Sequence, residues 1–215
     1  MRVDIWSDVV CPWCYIGKAR FEKALAEFPH REEVEVVYRS FELDPDREAG
    51  HHETVLGMLT QKYGMPEAQA RQAEERVAGL AQAEGLGYSS ERPVGNSFDL
   101  HRVLHFAKGK GVQRELLAAI YETYFARSGH VFDEAVIIDA AASAGLDADD
   151  VRTTLDDKDA YADDVRADES TARQLSITGV PFYVFDMTLG VSGAQATQTF
   201  TQALNQAWER AGKGS

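Results

Sequence analysis

Cysteine is scarce in this chain of 215 residues: Cys11 and Cys14 are the only two, separated by two residues. A structural zinc site built of thiolates needs a second pair of this kind, and there is none. Long apolar runs are lacking too; none approaches the ~18 residues of a membrane-spanning helix. Basic residues are outnumbered by acidic ones, 22 to 35, for a net charge of −13. Such a surface repels nucleic acid and anionic lipid, which bind through Lys and Arg that neutralise phosphate. What is present is ordinary for a globular protein, with 44% hydrophobic and 27% charged residues. The length suits one large domain or a small domain carrying an insertion.

The opening stretch, MRVDIWSDVV, reaches Asp4 and Asp8 before an apolar segment can build up. No signal peptide is expected, so the expected compartment is the reducing cytoplasm. There a Cys-x-x-Cys pair serves catalysis or metal binding rather than stapling a fold. The negative charge concentrates in residues 133–169, with thirteen Asp or Glu against three Lys or Arg. That stretch reads as solvated helix faces rather than as a docking surface.

Periodicity divides the chain into three parts. In residues 1–48, residues 3–6 read as a short strand ending at Ser7 and Asp8. Pro12 suits the first turn of a helix, where its missing N–H costs nothing. Cys14, Phe21, Leu25 and Phe28 follow as an apolar stripe, and Gly17, one turn past Cys14, lets that face approach a neighbour closely. Residues 34–43, rich in β-branched and aromatic side chains, make a second strand and complete a βαβ start.

Residues 49–176 turn helical. Pro66 opens a helix with Ala70, Ala73, Val77 and Leu80 on one face; Asn96 N-caps another, with Asp99 at its N3 position. Helices over 116–125 and 136–144 follow, and Asp147 caps the next. The adjacent His51 and His52 read as a cap region. Residues 177–215 return to sheet: a strand over 179–186 with Pro181 near its start, a turn over 187–189 and a returning strand over 190–192. Gly193, Ala194 and Gln195 open a last helix that buries Phe200, Leu204 and Trp208.

The cysteines sit between the first strand and the first helix. A thiolate, not a thiol, attacks a disulfide. At a helix N-terminus Cys11 meets unpaired backbone N–H groups and the positive end of the dipole, both of which favour its thiolate. Cys14, one turn on, faces the apolar stripe and stays protected. The expectation is an exposed attacker and a buried resolver. Asp8 either tunes these thiols or merely ends the strand, and the residues leave both open. As zinc ligands the thiols would need His101 and His105, which read as helix-surface rings instead, so no metal is expected.

The segments SDVVCPWCYIGK, NSFDLHR, ITGVPF and VSGAQ, in that order, resemble the FrnE-like branch of the DsbA family of thioredoxin-fold oxidoreductases. The resemblance runs nearly end to end. It implies an α/β protein, a thioredoxin fold interrupted by a large all-helical insertion domain. It implies that Cys11 is the nucleophile, Cys14 the resolving thiol and Val180-Pro181 a cis peptide beside them. Pro12, Trp13 and Asp8 then support the site, with Asn96, Gly193, Ala194 and Gln195 as substrate-binding positions. No resident cofactor is implied beyond the redox-active pair, with glutathione a candidate co-substrate. The implied partners are protein or small-molecule thiols and disulfides, and a homodimer is compatible with the family.

Two positions depart from the family pattern. Trp13 stands where periplasmic DsbA proteins have a histidine, which moves the expected reduction potential toward that of thioredoxin. The turn at Asp186, Met187 and Thr188 lacks the expected glycine. Kappa-class glutathione transferases and chromene-carboxylate isomerases look similar in architecture, but they usually carry serine in place of Cys11 and need no second thiol. The expected activity is therefore disulfide exchange through Cys-Pro-Trp-Cys, with a glutathione-dependent transferase or isomerase as the alternative. A non-enzymatic helical interaction module explains neither the cysteine pair nor Val180-Pro181.

Overall fold

The computed structural model describes residues 1–50 and 52–212. In chain order the elements are β1 (Arg2–Ser7), α1 (Pro12–Ala26), β2 (Glu35–Ser40), β3 (Glu53–Thr54), α2 (Val55–Gly57), α3 (Glu67–Ala83), β4 (Pro93–Val94) and α4 (Phe98–Gly109). There follow α5 (Gln113–Tyr121), α6 (Glu134–Ser143), α7 (Ala148–Asp156), α8 (Ala162–Gln174), β5 (Phe182–Phe185), β6 (Leu189–Ser192) and α9 (Thr197–Gly212). They form two compact units, one of Met1–Leu43 joined by the chain from Ala167 onward, the other of Asp44–Arg166.

These divisions fall earlier than the expected ones after residues 48 and 176, and the packing shows why. The indole of Trp6 donates to the Asp168 carbonyl at 2.9 Å, and the Asp168 carboxylate accepts from Arg39 and from the Ser40 amide, both at 3.0 Å. Ala172 and Ile177 share a buried cluster with Trp6 and Val184. The end of α8 thus belongs to the sheet it covers.

That sheet has the order β2-β1-β5-β6, with β1 parallel to β2 and antiparallel to β5, and β5 antiparallel to β6. As an inner strand, β1 is buried from Val3 to Ser7, and its one buried charge, Asp4, is paired with Arg2 and Arg39. On one face Phe21 of α1 meets Tyr183 at 5.4 Å and Phe200 of α9 at 5.7 Å between ring centroids. The β5–β6 turn that lacks glycine is built all the same: Asp186 and Met187 take φ of 43° and 53°. The Asp186 carboxylate accepts from the Arg2 amide at 2.6 Å, which holds the turn in place. The last helix begins at Thr197, later than expected, because Gly193, at φ 81°, keeps the preceding residues in a loop.

In the helical unit, Asp147 caps α7 as expected, accepting from the amides of Asp149 and Asp150 at 2.9 and 3.0 Å. Four expectations need correction. The buried stripe of α3 is Ala70, Glu74, Val77 and Ala81, because the Glu74 carboxylate is drawn inward by Arg92 at 2.9 Å and by the Tyr88 hydroxyl at 3.0 Å. The N-cap of α4 is Ser97 rather than Asn96, whose amide bridges the Phe98 N–H and the Arg47 carbonyl instead. His101 and His105 are buried on α4, not on its surface. The insertion also carries a two-residue ladder, β3 against β4, too short to show as alternation. His52 immediately precedes β3 rather than capping a helix, and His51 lies outside the described residues.

Candidate active site

Helix α1 begins where it does because Pro12 occupies its first position and Cys11, the N-cap, is extended at φ −85° and ψ 116°. Asp8 sets up the approach to this turn. Its carboxylate accepts from the Leu43 amide at 2.7 Å and the Val10 amide at 3.3 Å, and its carbonyl accepts from the Cys11 N–H at 3.2 Å. Of the two roles left open for Asp8, these contacts are those of a loop anchor; its main chain also hydrogen-bonds the sulfur of Cys14.

The Val180-Pro181 peptide is cis, and the Cys11 thiol donates to the Val180 carbonyl at 3.8 Å. Neither cysteine is bonded to the other in this structure. Both are also buried, with Cys11 3% and Cys14 2% exposed, so the expectation of an exposed attacker is corrected. Trp13, by contrast, is 42% exposed beside them. The Cys11 side chain makes no cap hydrogen bond, and the amides of Cys14 and Tyr15 donate to the Cys11 carbonyl at 3.0 and 3.2 Å. What the helix end offers the Cys11 sulfur is therefore its dipole rather than a cap hydrogen bond.

The two sulfurs differ in surroundings. Burial, the largest effect, pushes the Cys14 thiol well above its ordinary range, and its hydrogen bond and charge interaction with Cys11 push the same way. The Ser7 hydroxyl and the Asp8 main chain pull part of this back by hydrogen bonding to the sulfur. Cys14 is thus a protonated thiol at neutral pH.

Gly17 carries out the close approach its position suggested: a Cβ there would stand 2.7 Å from the Tyr183 hydroxyl, 3.0 Å from Pro181 Cγ and 3.4 Å from Ala194 Cα. Gly193 donates its N–H to the Pro181 carbonyl at 2.8 Å, and Arg20 donates to the Ala194 carbonyl at 2.8 Å. Gly193 and Ala194 therefore back the prolyl loop. Gln195 is exposed and donates to the Ser192 carbonyl at 2.8 Å. Asn96 belongs to the helical unit, where both ends of its amide are engaged.

Sequence reasoning missed Ser7 and Tyr183. The Tyr183 hydroxyl is buried with no hydrogen-bond partner among the described residues, and burial raises its pKa well above the ordinary value. The signal for both was the alternation of β1 and β5, which decides which side chains share a face with the thiols.

A small mixed sheet, a cysteine pair where β1 runs into α1 and a cis-prolyl loop against the first sulfur define the thioredoxin class of redox proteins. The chain matches the DSBA-like thioredoxin domain over residues 2–205 and belongs to that family. It is 56% identical to a probable DsbA oxidoreductase of Streptomyces coelicolor, with a TM-score of 0.94 over 97% of this chain and 90% of that one. Its fold is shared by the cytosolic disulfide reductase DsbM of Pseudomonas aeruginosa, solved with glutathione, at 14% identity and a TM-score of 0.68 over 97% and 100% of the two chains. A 2-hydroxychromene-2-carboxylate isomerase shares it too, at 14% identity and a TM-score of 0.70 over the full length of both. The chain is thus of the disulfide oxidoreductase type. Among the described residues no helix is long and apolar enough to cross a membrane.

Proposed function

We propose that the protein exchanges disulfides with thiol substrates through Cys-Pro-Trp-Cys, with Cys11 as nucleophile and Cys14 as resolving thiol. The observation that carries this reading is the unequal setting of the two sulfurs: Cys11 at the helix tip against the Val180 carbonyl, Cys14 held as a buried thiol. The Cys11 thiolate attacks one sulfur of a substrate disulfide. A Cys11–substrate bond forms, the substrate S–S bond breaks, and the second substrate sulfur leaves as a thiolate. Cys14 then gives up its proton to that leaving thiolate or to solvent and attacks Cys11 Sγ. The Cys11–Cys14 bond forms, the bond to the substrate breaks, and two electrons have passed to the substrate. An external dithiol resets the pair, and the same steps reversed oxidise a substrate.

Ser7 and the Asp8 main chain steady the Cys14 sulfur as its charge develops, since both hydrogen-bond it. Trp13 offers an exposed apolar face beside Cys11 for the substrate. The setting is the reducing cytoplasm, where the thiols stay available and glutathione is an abundant co-substrate. The alternative, a glutathione transferase or isomerase, gives Cys14 nothing to do.

Cys14→Ser separates the two. Incubated with glutathione disulfide, this variant accumulates a stable mixed disulfide on Cys11, read by mass, and loses insulin-disulfide turnover. Turnover equal to wild type, together with conjugation of glutathione to an electrophile, would transfer the assignment to the alternative.

A further inference from the structure

We propose that the helical unit binds a divalent transition-metal ion, zinc in the first instance, through His52, His130 and Asp133. One donor atom from each lies within 4.8 Å of the other two. Two imidazoles and one carboxylate are the protein ligands of open zinc sites, which leave the fourth position to water. Ligands on one tetrahedral zinc stand about 3.3 Å apart, as metal–ligand bonds of about 2.0–2.1 Å require. The gap closes by side-chain rotation, for which His130 and Asp133 are free as exposed residues.

The surrounding chain is shaped to present these donors. The β3–β4 ladder sets Glu53 opposite Val94, which brings His52 beside Gly95. A Cβ on Gly95 would stand 2.9 Å from His52 Cδ2 and 2.7 Å from Phe132 Cγ, so glycine is what lets the imidazole lie against the Phe132 ring, 5.2 Å between centroids. Asp133 is the N-cap of α6, where an aspartate ordinarily accepts from the first-turn amides, yet its side chain makes no cap hydrogen bond. Its carboxylate is left for another partner. The Asp133 N–H donates to the His130 carbonyl at 3.0 Å, closing the turn that places residue 130 beside residue 133. The imidazoles of His52 and His130 are 6.2 Å apart between centroids.

His52 and Asp133 also line a cavity of about 330 Å³ whose wall includes Asp99 and Glu134. Asp99 is already paired with Arg102 and Lys158, and Glu134 stands 4.0 Å from Arg152, so the donors proposed for the ion are His52, His130 and Asp133 alone. An ion there ties the segment before β3 to the segment before α6, so binding stabilises the fold of this unit.

The test uses the full chain as Cys11→Ser/Cys14→Ser, so that no thiolate competes for metal. Zinc titrated by calorimetry is expected to bind with one equivalent per chain and to raise the melting temperature, and cobalt to give visible d–d absorption. His130→Ala and Asp133→Ala, both at exposed positions, should each weaken zinc at least ~10-fold while leaving the metal-free melting temperature unchanged. Zinc affinity unaltered by either substitution would mean diffuse attraction to acidic residues and overturn the site. Absence of binding at millimolar zinc would overturn it as well.

Discussion

Gly17 and Tyr183 leave no room between them: a Cβ at residue 17 would fall 2.7 Å from the tyrosine oxygen. The contact sets how closely α1 lies on β5, and with it the position of the prolyl loop that faces Cys11. Tyr183 has little space to yield, since its ring is held by Phe200 at 4.5 Å and Phe21 at 5.4 Å between centroids. In Gly17→Ala the better helix propensity contributes about 1 kcal/mol, while overpacking costs about 1–3 kcal/mol. The expected net loss is about 1 kcal/mol, with slower disulfide exchange. Tyr183→Phe removes the atom that the new methyl strikes, so the double variant should recover part of the loss. Urea unfolding of the four proteins checks this, and strictly additive effects would rule out the contact as the cause.

Stability of the reduced protein should depend on Cys14 at alkaline pH. In the unfolded chain this thiol ionises near about 8.5, whereas burial keeps the native thiol protonated to higher pH. Above that pH the native state binds the extra proton. Its contribution is therefore complete below about pH 8.5 and falls as pH rises toward the native value, by up to ~1.4 kcal/mol per pH unit. Denaturation of reduced wild type and Cys14→Ala from pH 7 to 10 should give a difference that declines above about pH 8.5. A level difference would contradict the buried, protonated state.

The β5–β6 turn should accept glycine at one position and not at the other. Met187, at φ 53° and 53% exposed, bears the cost of the left-handed region. Met187→Gly relieves about 1–2 kcal/mol of backbone strain against about 0.5–1 kcal/mol of chain entropy, a net gain of roughly 0.5 kcal/mol. Asp186→Gly also removes the acceptor for the Arg2 amide and should gain nothing. Thermal melts decide; a lower melting temperature for Met187→Gly would refute the argument.

Features that depend on neighbours in sequence were legible. Pro12 at the start of α1, the cap at Asp147 and the small residue at Gly17 follow from spacing of three to four residues. Features that depend on distant partners were not. Cys11 is covered by a carbonyl 169 residues away, so no local pattern could show that it is buried. The stripe on α3 is offset because Arg92 neutralises Glu74, and α4 starts one residue late because the Asn96 amide reaches Arg47. Ser7 and Tyr183 reach the thiols only through the strand register.

Cys11 and Cys14 are proposed to form one reversible two-electron couple. Equilibration of the protein in glutathione buffers of graded ratio, with acid quench and mass mapping of each thiol, reads this out. A Cys11–Cys14 disulfide should form and reverse with a tenfold change per about 30 mV. With Trp13 rather than histidine between the cysteines, its potential should fall between about −270 and −120 mV and nearer the former. Glutathione held on Cys11 while Cys14 stays a free thiol at every ratio would contradict the claim.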